Sequence, residues 1–309
     1  MKTQKKSPMV RGVSGSGSFG EGLAGAARSI VTDARRALAD RDLSEAEAVH
    51  EVRKALKRWR ALMRLLAHAI GDPADEMRVE ARELMRSIAG ARDAQAALDA
   101  LADLKKADGA LSATSLETMR KRLTQMRDAA EATTFTQDTR DKISRYLDFA
   151  TLSIARWPLD AIDFATVTDA LAVTYRRARQ LLPAEWKEAD ADHLHELRRR
   201  VVEHRHQMDL VEHLWPRLGR VWAEEAQRLR NQLGACQDLA VLTHYTGPHQ
   251  PLAPWRSRLV PAVAARHQAH IKSAERLAGR LFAEKPKAFS RRITALGSAR
   301  HARKSRKKK

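Results

Sequence analysis

The residues best placed to do chemistry form a row of cations. With His50 as the origin of a helix advancing about 100° per residue, His50, Arg53, Lys54, Lys57, Arg60 and Arg64 share one face. Their stripe is about 120° wide and about four turns long. Val52, Leu56, Trp59, Leu62, Met63 and Leu66 take the opposite side. An ordinary solvated helix face mixes signs, because opposite charges at i,i+4 support a helix and like charges oppose it by about a few tenths of a kcal/mol per pair. A stripe of cations works against its own helix, so it reads as a site for an anion. Arg offers bidentate contacts to phosphate oxygens and Lys a point charge. Histidines in such a row add hydrogen bonds, and a bound anion favours their protonation. A linear polyphosphate, with oxygens all round and no bases to be read, suits a groove lined this way.

The stripe has a second, weaker copy. HEVRK begins at His50 and HELRR at His195, while IAGARD ends at Asp93 and LGACQD at Asp238, so both pairs are offset by 145 residues. From His195, the cations Arg198, Arg199 and Arg205 recur on one face, joined by His206. Val202 stands where Lys57 stands in the first copy, and Asp209 where Arg64 stands. Arg176 and Arg177, within the basic run Tyr175–Arg179, add a cluster on the preceding helix. The chain therefore reads as two copies of one helical unit, divided near Trp157-Pro158, that bury a shared face.

The elements that must carry these residues are helices. Ala, Leu, Arg and Glu dominate, and little β-branched alternation argues for strands, which predicts an all-α fold. Helices are predicted over 21–40, 45–69, 74–89, 92–105, 115–132, 137–156, 164–182, 191–214, 217–233, 237–246, 255–282 and 287–296. Ser44 with Glu47 has the spacing of a capping box. Asp72 before Pro73, and Ser115, read as caps. Gly71, Gly109 and Gly247 fall at expected helix ends, and Pro261 should kink or break its helix.

The net charge is +19, which implies polyanionic partners. Residues 1–20, read as a flexible basic Gly/Ser arm, carry +4, and residues 298–309, read as a basic tail, carry +7. The body over 21–297 holds the remaining +8, so its case rests on arrangement. One cysteine, Cys236, excludes an internal disulfide and fits a reducing cytosol. No apolar run approaches the roughly 18 residues of a membrane span. Aromatics at 5% argue against a reader of single-stranded nucleic acid by stacking.

At these motifs the sequence resembles the CHAD family, the conserved histidine α-helical domain. The resemblance rests on VHEVRKALKRWRALMRLL over Val49–Leu66 and LHELRRRVVEHRHQMDLV over Leu194–Val211. It extends to IAGARD, LGACQD, TYRRARQLL over Thr174–Leu182 and RLFAEKPKAF over Arg280–Phe289, and so spans about residues 22–297. It implies one domain of two pseudo-symmetric helical bundles, about 21–157 and 158–297, around a basic central groove or pore that binds inorganic polyphosphate. It further implies an association with polyphosphate granules. The family's His-x-x-Arg pattern falls on His50/Arg53 and His195/Arg198, and its following basic positions on Lys54, Lys57, Arg58, Arg60, Arg199 and Arg205. Val202 and Glu203 depart from usually basic positions, and Ala89 replaces the glycine of a Leu-Gly turn. Asp93 and Asp238 are read as caps or inter-helix pairs.

Three rival readings are weaker. Neither HEVRK nor HELRR is the zinc motif with a second His at i+4, and no phosphate-cradling loop or nucleophile elbow occurs, so no catalytic residue, cofactor or enzyme activity is expected. Cys236 reads as a buried inert thiol. Five His lie between His193 and His213, and His267 and His270 form an i,i+3 pair, yet none has mixed zinc-ligand spacing, so no metal is expected. Nonspecific nucleic-acid binding through the basic tail is the main alternative, without any readout motif to support it. The expected location is cytoplasmic.

Overall fold

The computed structural model describes residues 19–106, 111–212 and 215–306, apart from the side chains of 131–134, 159 and 299–306. Within them lie eleven α-helices, short 3-10 turns and no strand. The first half holds α1 (Phe19–Ala39), α2 (Glu45–Ile70), α3 (Asp72–Ser87), α4 (Arg92–Lys106), α5 (Ala113–Thr134) and α6 (Gln137–Ile154). The second holds α7 (Phe164–Gln180), α8 (Ala191–Val211), α9 (Pro216–His244), α10 (Arg256–Leu281) and α11 (Pro286–Arg306).

Several helix starts lie at offsets near 145 residues. α1 and α7 begin 145 residues apart, α2 and α8 146, and α5 and α10 143. The opening residues of α1 and α7 also meet, with the Phe19 and Phe164 rings edge-on at 5.4 Å. The halves share their cores. One apolar cluster joins Leu56, Trp59 and Leu62 of α2 to Leu197 and Val201 of α8 and Leu229 and Leu233 of α9. A second joins Leu101, Met119 and Leu123 of α4 and α5 to Leu239, Leu259 and Val263 of α9 and α10. Polar ties reinforce the second seam. Asp103 of α4 accepts two bonds from Arg266 of α10 and one from His270, whose other ring nitrogen meets Gln232 of α9.

Local signals explain most boundaries. Ser44 and Glu47 form the expected capping box at the start of α2. Gly71, at φ +78°, closes α2 through a bond to the Ala67 carbonyl and opens α3, a backbone shape that suits glycine. Other expectations fail in instructive ways. The cap of α5 is Ser112, which accepts from the Ser115 amide, so Ser115 is the capped residue rather than the cap. α10 runs through Pro261 unbroken. The proline lies in the second turn and removes one donor, from the carbonyl of exposed Ser257. Gly247 follows α9 and donates to the His244 carbonyl, whereas Gly109 lies outside the described residues.

Two predicted helices, 217–233 and 237–246, are one 29-residue helix, α9. The corresponding first-half segment does break, at 88–91 between α3 and α4. Helical backbone reaches past both expected tail boundaries. α1 starts at Phe19, so residues 19 and 20 are not part of an arm, and α11 continues to Arg306 rather than ending near Gly297. A single internal glycine costs about 1 kcal/mol, too little to stop an Ala- and Arg-rich helix that meets no proline. Residues 1–18 and 307–309 of the expected arm and tail lie outside the described residues.

Candidate polyanion site

The stripe of α2 does not face open solvent along its length. α8 crosses α2, fixed by the fully buried Gln207, whose amide donates 3.1 Å to the Ala61 carbonyl. The basic residues fall into two groups.

The first group surrounds Lys57. Arg53 comes from α2 itself, Arg198 from α8, Arg230 from α9, and Arg92 from the start of α4. Burial, then the charges of Arg53, Arg230, Arg198 and Arg92, push the Lys57 ammonium down to about 7. Among the described residues Lys57 has no carboxylate within ion-pairing distance. Burial and Arg92 push Arg53 down to about 10. Burial, Arg230 and Arg92 do the same to Arg198, against the pull of Asp238. At the rim, partial burial and then Lys57, Lys54 and Arg230 lower the His50 imidazole, against the pull of Glu51.

Some of these cations are tethered by neutral groups, which orient them without cancelling their charge. Arg53 donates to the Met85 and Ile88 carbonyls, satisfying orphan acceptors where α3 ends. Arg198 donates 2.8 Å to the Gln237 side chain and lies against Gly234. A methyl group at Gly234 would stand 3.3 Å from the Arg198 Nε. That glycine therefore serves as a close approach inside α9, not as the turn that the Leu-Gly motif suggested. Several donors remain unused. The Nε atoms of Arg60, Arg198 and Arg205 and the Nδ1 of His195 are buried without a hydrogen-bond partner. Such groups are rare in a folded protein unless a ligand or water meets them.

The second group contains an acid. Glu203 of α8 receives Arg64 of α2 at 3.1 Å and Arg200 at 2.9 Å. Its attraction also reaches Arg60, beside Arg199, Arg78 and Arg64. Arg177 of α7 is exposed and close enough to Arg64 to disfavour its charge. Here the protein supplies its own counter-ion.

The expected site residues thus divide. His50, Arg53, Lys57 and Arg198 converge, and Arg205 reaches the edge of their cluster through its repulsion of Arg230. Arg60 falls with the second group, beside Glu203, Arg199, Arg78 and Arg64. Lys54 pairs with Glu51 at 2.9 Å and Arg199 with Glu196 at 2.7 Å, so the faces are not free of acids as the helical projection implied. Arg64 is committed to Glu203, and Arg58 to Asp33 of α1 at 2.7 Å. Arg176 is exposed on α7 and no contact joins it to the cluster.

Sequence reasoning missed Arg92 and Arg230. Arg230, Gly234 and Asp238 recur every four residues along α9 and share one face, a pattern that could have revealed the wall. Asp93 lies in the first turn of α4, as a cap-region acid should. Asp238 is no cap. It sits in the middle of α9, and burial, with Asp99 beside it, raises its carboxyl to about 6 despite Arg198, Arg92 and Arg230.

Two histidines outside the stripe, His204 and His270, have structural surroundings. His204 is fully buried among Tyr175, Phe282 and Phe289 and accepts from the Trp222 indole at 2.9 Å. Burial pushes it down to about 3. Among the described residues, no three His, Cys, Asp or Glu side chains group so as to hold a metal ion. Cys236 is buried, which raises its thiol to about 12. No described helix is long and apolar enough to cross a membrane.

The family model for the CHAD domain matches residues 22–246. The match covers the whole of the Lys57 cluster and stops short of α10 and α11, so RLFAEKPKAF lies outside it. No curated protein matches the chain.

Proposed function

Because the chain belongs to the CHAD family, which is associated with polyphosphate binding, we propose that its Lys57 cluster holds successive phosphates of inorganic polyphosphate. In this reading the protein binds the chain and catalyses nothing on it. It works in the cytoplasm, at polyphosphate granules, as one domain of two related helical units.

The observation that carries the reading is the convergence of cations from α2, α8, α9 and the start of α4 on Lys57, which has no carboxylate partner among the described residues, with the Arg198 Nε buried and unpaired beside it. Mutual repulsion and lost hydration make the empty cluster costly, and a multivalent anion removes both costs at once. An evenly charged flexible chain can pass from Lys57 towards Arg60 and out along the exposed Arg177. Base recognition has no counterpart, since no exposed aromatic ring stands on α2, α4 or α8.

Competition on the full chain tests this. Long-chain polyphosphate should displace labelled duplex DNA at equal phosphate and salt, and DNA should displace polyphosphate poorly. Equal competition would favour nonspecific nucleic-acid binding and overturn the proposal.

A further inference from the structure

The cluster contains one cation that differs chemically from its neighbours. Arginines stay protonated at any physiological pH, whereas a lysine held among them can lose its proton. We propose that Lys57 couples anion binding to proton uptake, so that the site binds a phosphate polyanion more tightly as pH falls through neutrality. The proposal rests on the polyanion-binding reading of the same site.

The geometry supports it from every wall. Lys57 sits half-buried in mid-α2, behind the rim residue His50 and one turn from Arg53. Arg198 faces it from α8, Arg230 from α9 and Arg92 from α4. An acid on these walls, Asp238, faces Arg198, Arg92 and Arg230, and Glu51 lies beside His50. Four guanidiniums therefore oppose a fifth positive charge, and burial together with them holds the ammonium down to about 7. A bound phosphate oxygen reverses the local potential, and the proton returns to Nζ, taken from solvent. No bond other than N–H forms or breaks.

The sign follows from linkage. Below about 7 the ammonium is already charged and binding takes up little. Above it, each binding event draws a proton, and affinity falls as pH rises. Two neighbours act in the same direction at lower pH. Asp238 is raised to about 6 and, when ionised, competes with the ligand for the arginines. His50 is lowered from its usual value by burial first. Both are deprotonated above neutrality, which leaves the alkaline range to Lys57.

The experiment is calorimetry of the full chain with long-chain inorganic polyphosphate, whose interior groups do not titrate in the range used. Ionic strength is fixed and two buffers of different ionisation enthalpy are compared. Affinity should fall about tenfold between about pH 7 and about pH 8.5, with close to one proton taken up per Lys57 occupied. Lys57→Arg, checked for helicity by circular dichroism, should flatten that dependence and abolish the uptake. Polyphosphate binding that is flat in pH and releases or takes up no proton overturns the proposal and leaves the binding reading intact. A dependence equally steep in Lys57→Arg also overturns it, by removing Lys57 as the carrier. Absence of polyphosphate binding at every pH overturns both readings together. The wild-type proton count needs no variant, so a misfolded Lys57→Arg would not shield the proposal.

Discussion

The two basic groups, one around Lys57 and one around Arg64, have opposite designs. Around Lys57, Arg53, Arg198, Arg230 and Arg92 converge, with Arg53 tethered by carbonyls and Arg198 by an amide. Around Arg64, the carboxylate of Glu203 takes two arginines into ion pairs. A count of charges cannot tell these regions apart. What separates them is the identity of the group that satisfies each donor. A neutral acceptor leaves the charge available to a ligand, whereas a carboxylate spends it on the fold.

The sharpest way to break this contrast is to remove the charges around Lys57. Lys57→Gln, Arg198→Gln and Arg230→Gln combined should weaken polyphosphate binding about 100-fold or more, since hydrogen bonds to charged groups contribute about 1.5–3 kcal/mol each. The slope of log affinity against log salt should also become shallower by about two units, as expected for three lost phosphate contacts on a single strand. The fold should survive, because repulsion among buried cations is relieved. An affinity and salt slope like those of the wild type would place the ligand elsewhere.

The other side predicts an effect of opposite sign. Glu203→Gln releases Arg64, while Arg200 keeps its ion pair with Glu196 at 2.6 Å, so polyphosphate should bind about three- to tenfold more tightly, from about one charge-assisted contact of modest strength. Stability should fall by about 1–3 kcal/mol, because Arg64 and Glu203 are only 18% and 11% exposed and the arginine loses its partner. Denaturant midpoints and binding isotherms measured together decide this. If both affinity and stability fall, Glu203 belongs to the binding surface and the contrast between the two regions fails.

The sequence made part of this contrast legible. The α2 stripe, its copy on α8 and the all-α fold follow from periodicity, because one face must meet the core and leave the cations on the other. Periodicity places residues around one axis only. It could not show that Lys54 meets Glu51, that Arg64 reaches Glu203 across 139 residues of chain, or that Arg92 and Arg230 close the site from helices with no cationic stripe. The departure at Glu203 was visible in LHELRRRVVEHRH, but only the crossing of α8 over α2 turns it from a missing cation into a counter-ion. The continuity of α9 was hidden for a similar reason. Gly234 carries a turn signal on its own, and its use as a bed for Arg198 is a tertiary fact.

That bed gives the smallest and most local test. In Gly234→Ala the new methyl would crowd the Arg198 Nε at 3.3 Å and its Nη2 at 3.4 Å. The guanidinium must move by a few tenths of an ångström, and its bond to Gln237 holds it from the other side. Polyphosphate affinity should drop about two- to fivefold, the size expected when one charge-assisted contact is loosened rather than lost. Helix propensity acts the other way, because alanine in a helix interior is favoured over glycine by about 0.5–1 kcal/mol. The substitution should therefore weaken binding without lowering the denaturation midpoint. The two quantities part only if Gly234 is kept for the placement of Arg198. A parallel loss of stability and affinity would instead mean that the close packing of α8 on α9 needs the glycine, and that Arg198 sits where it does by consequence of that packing.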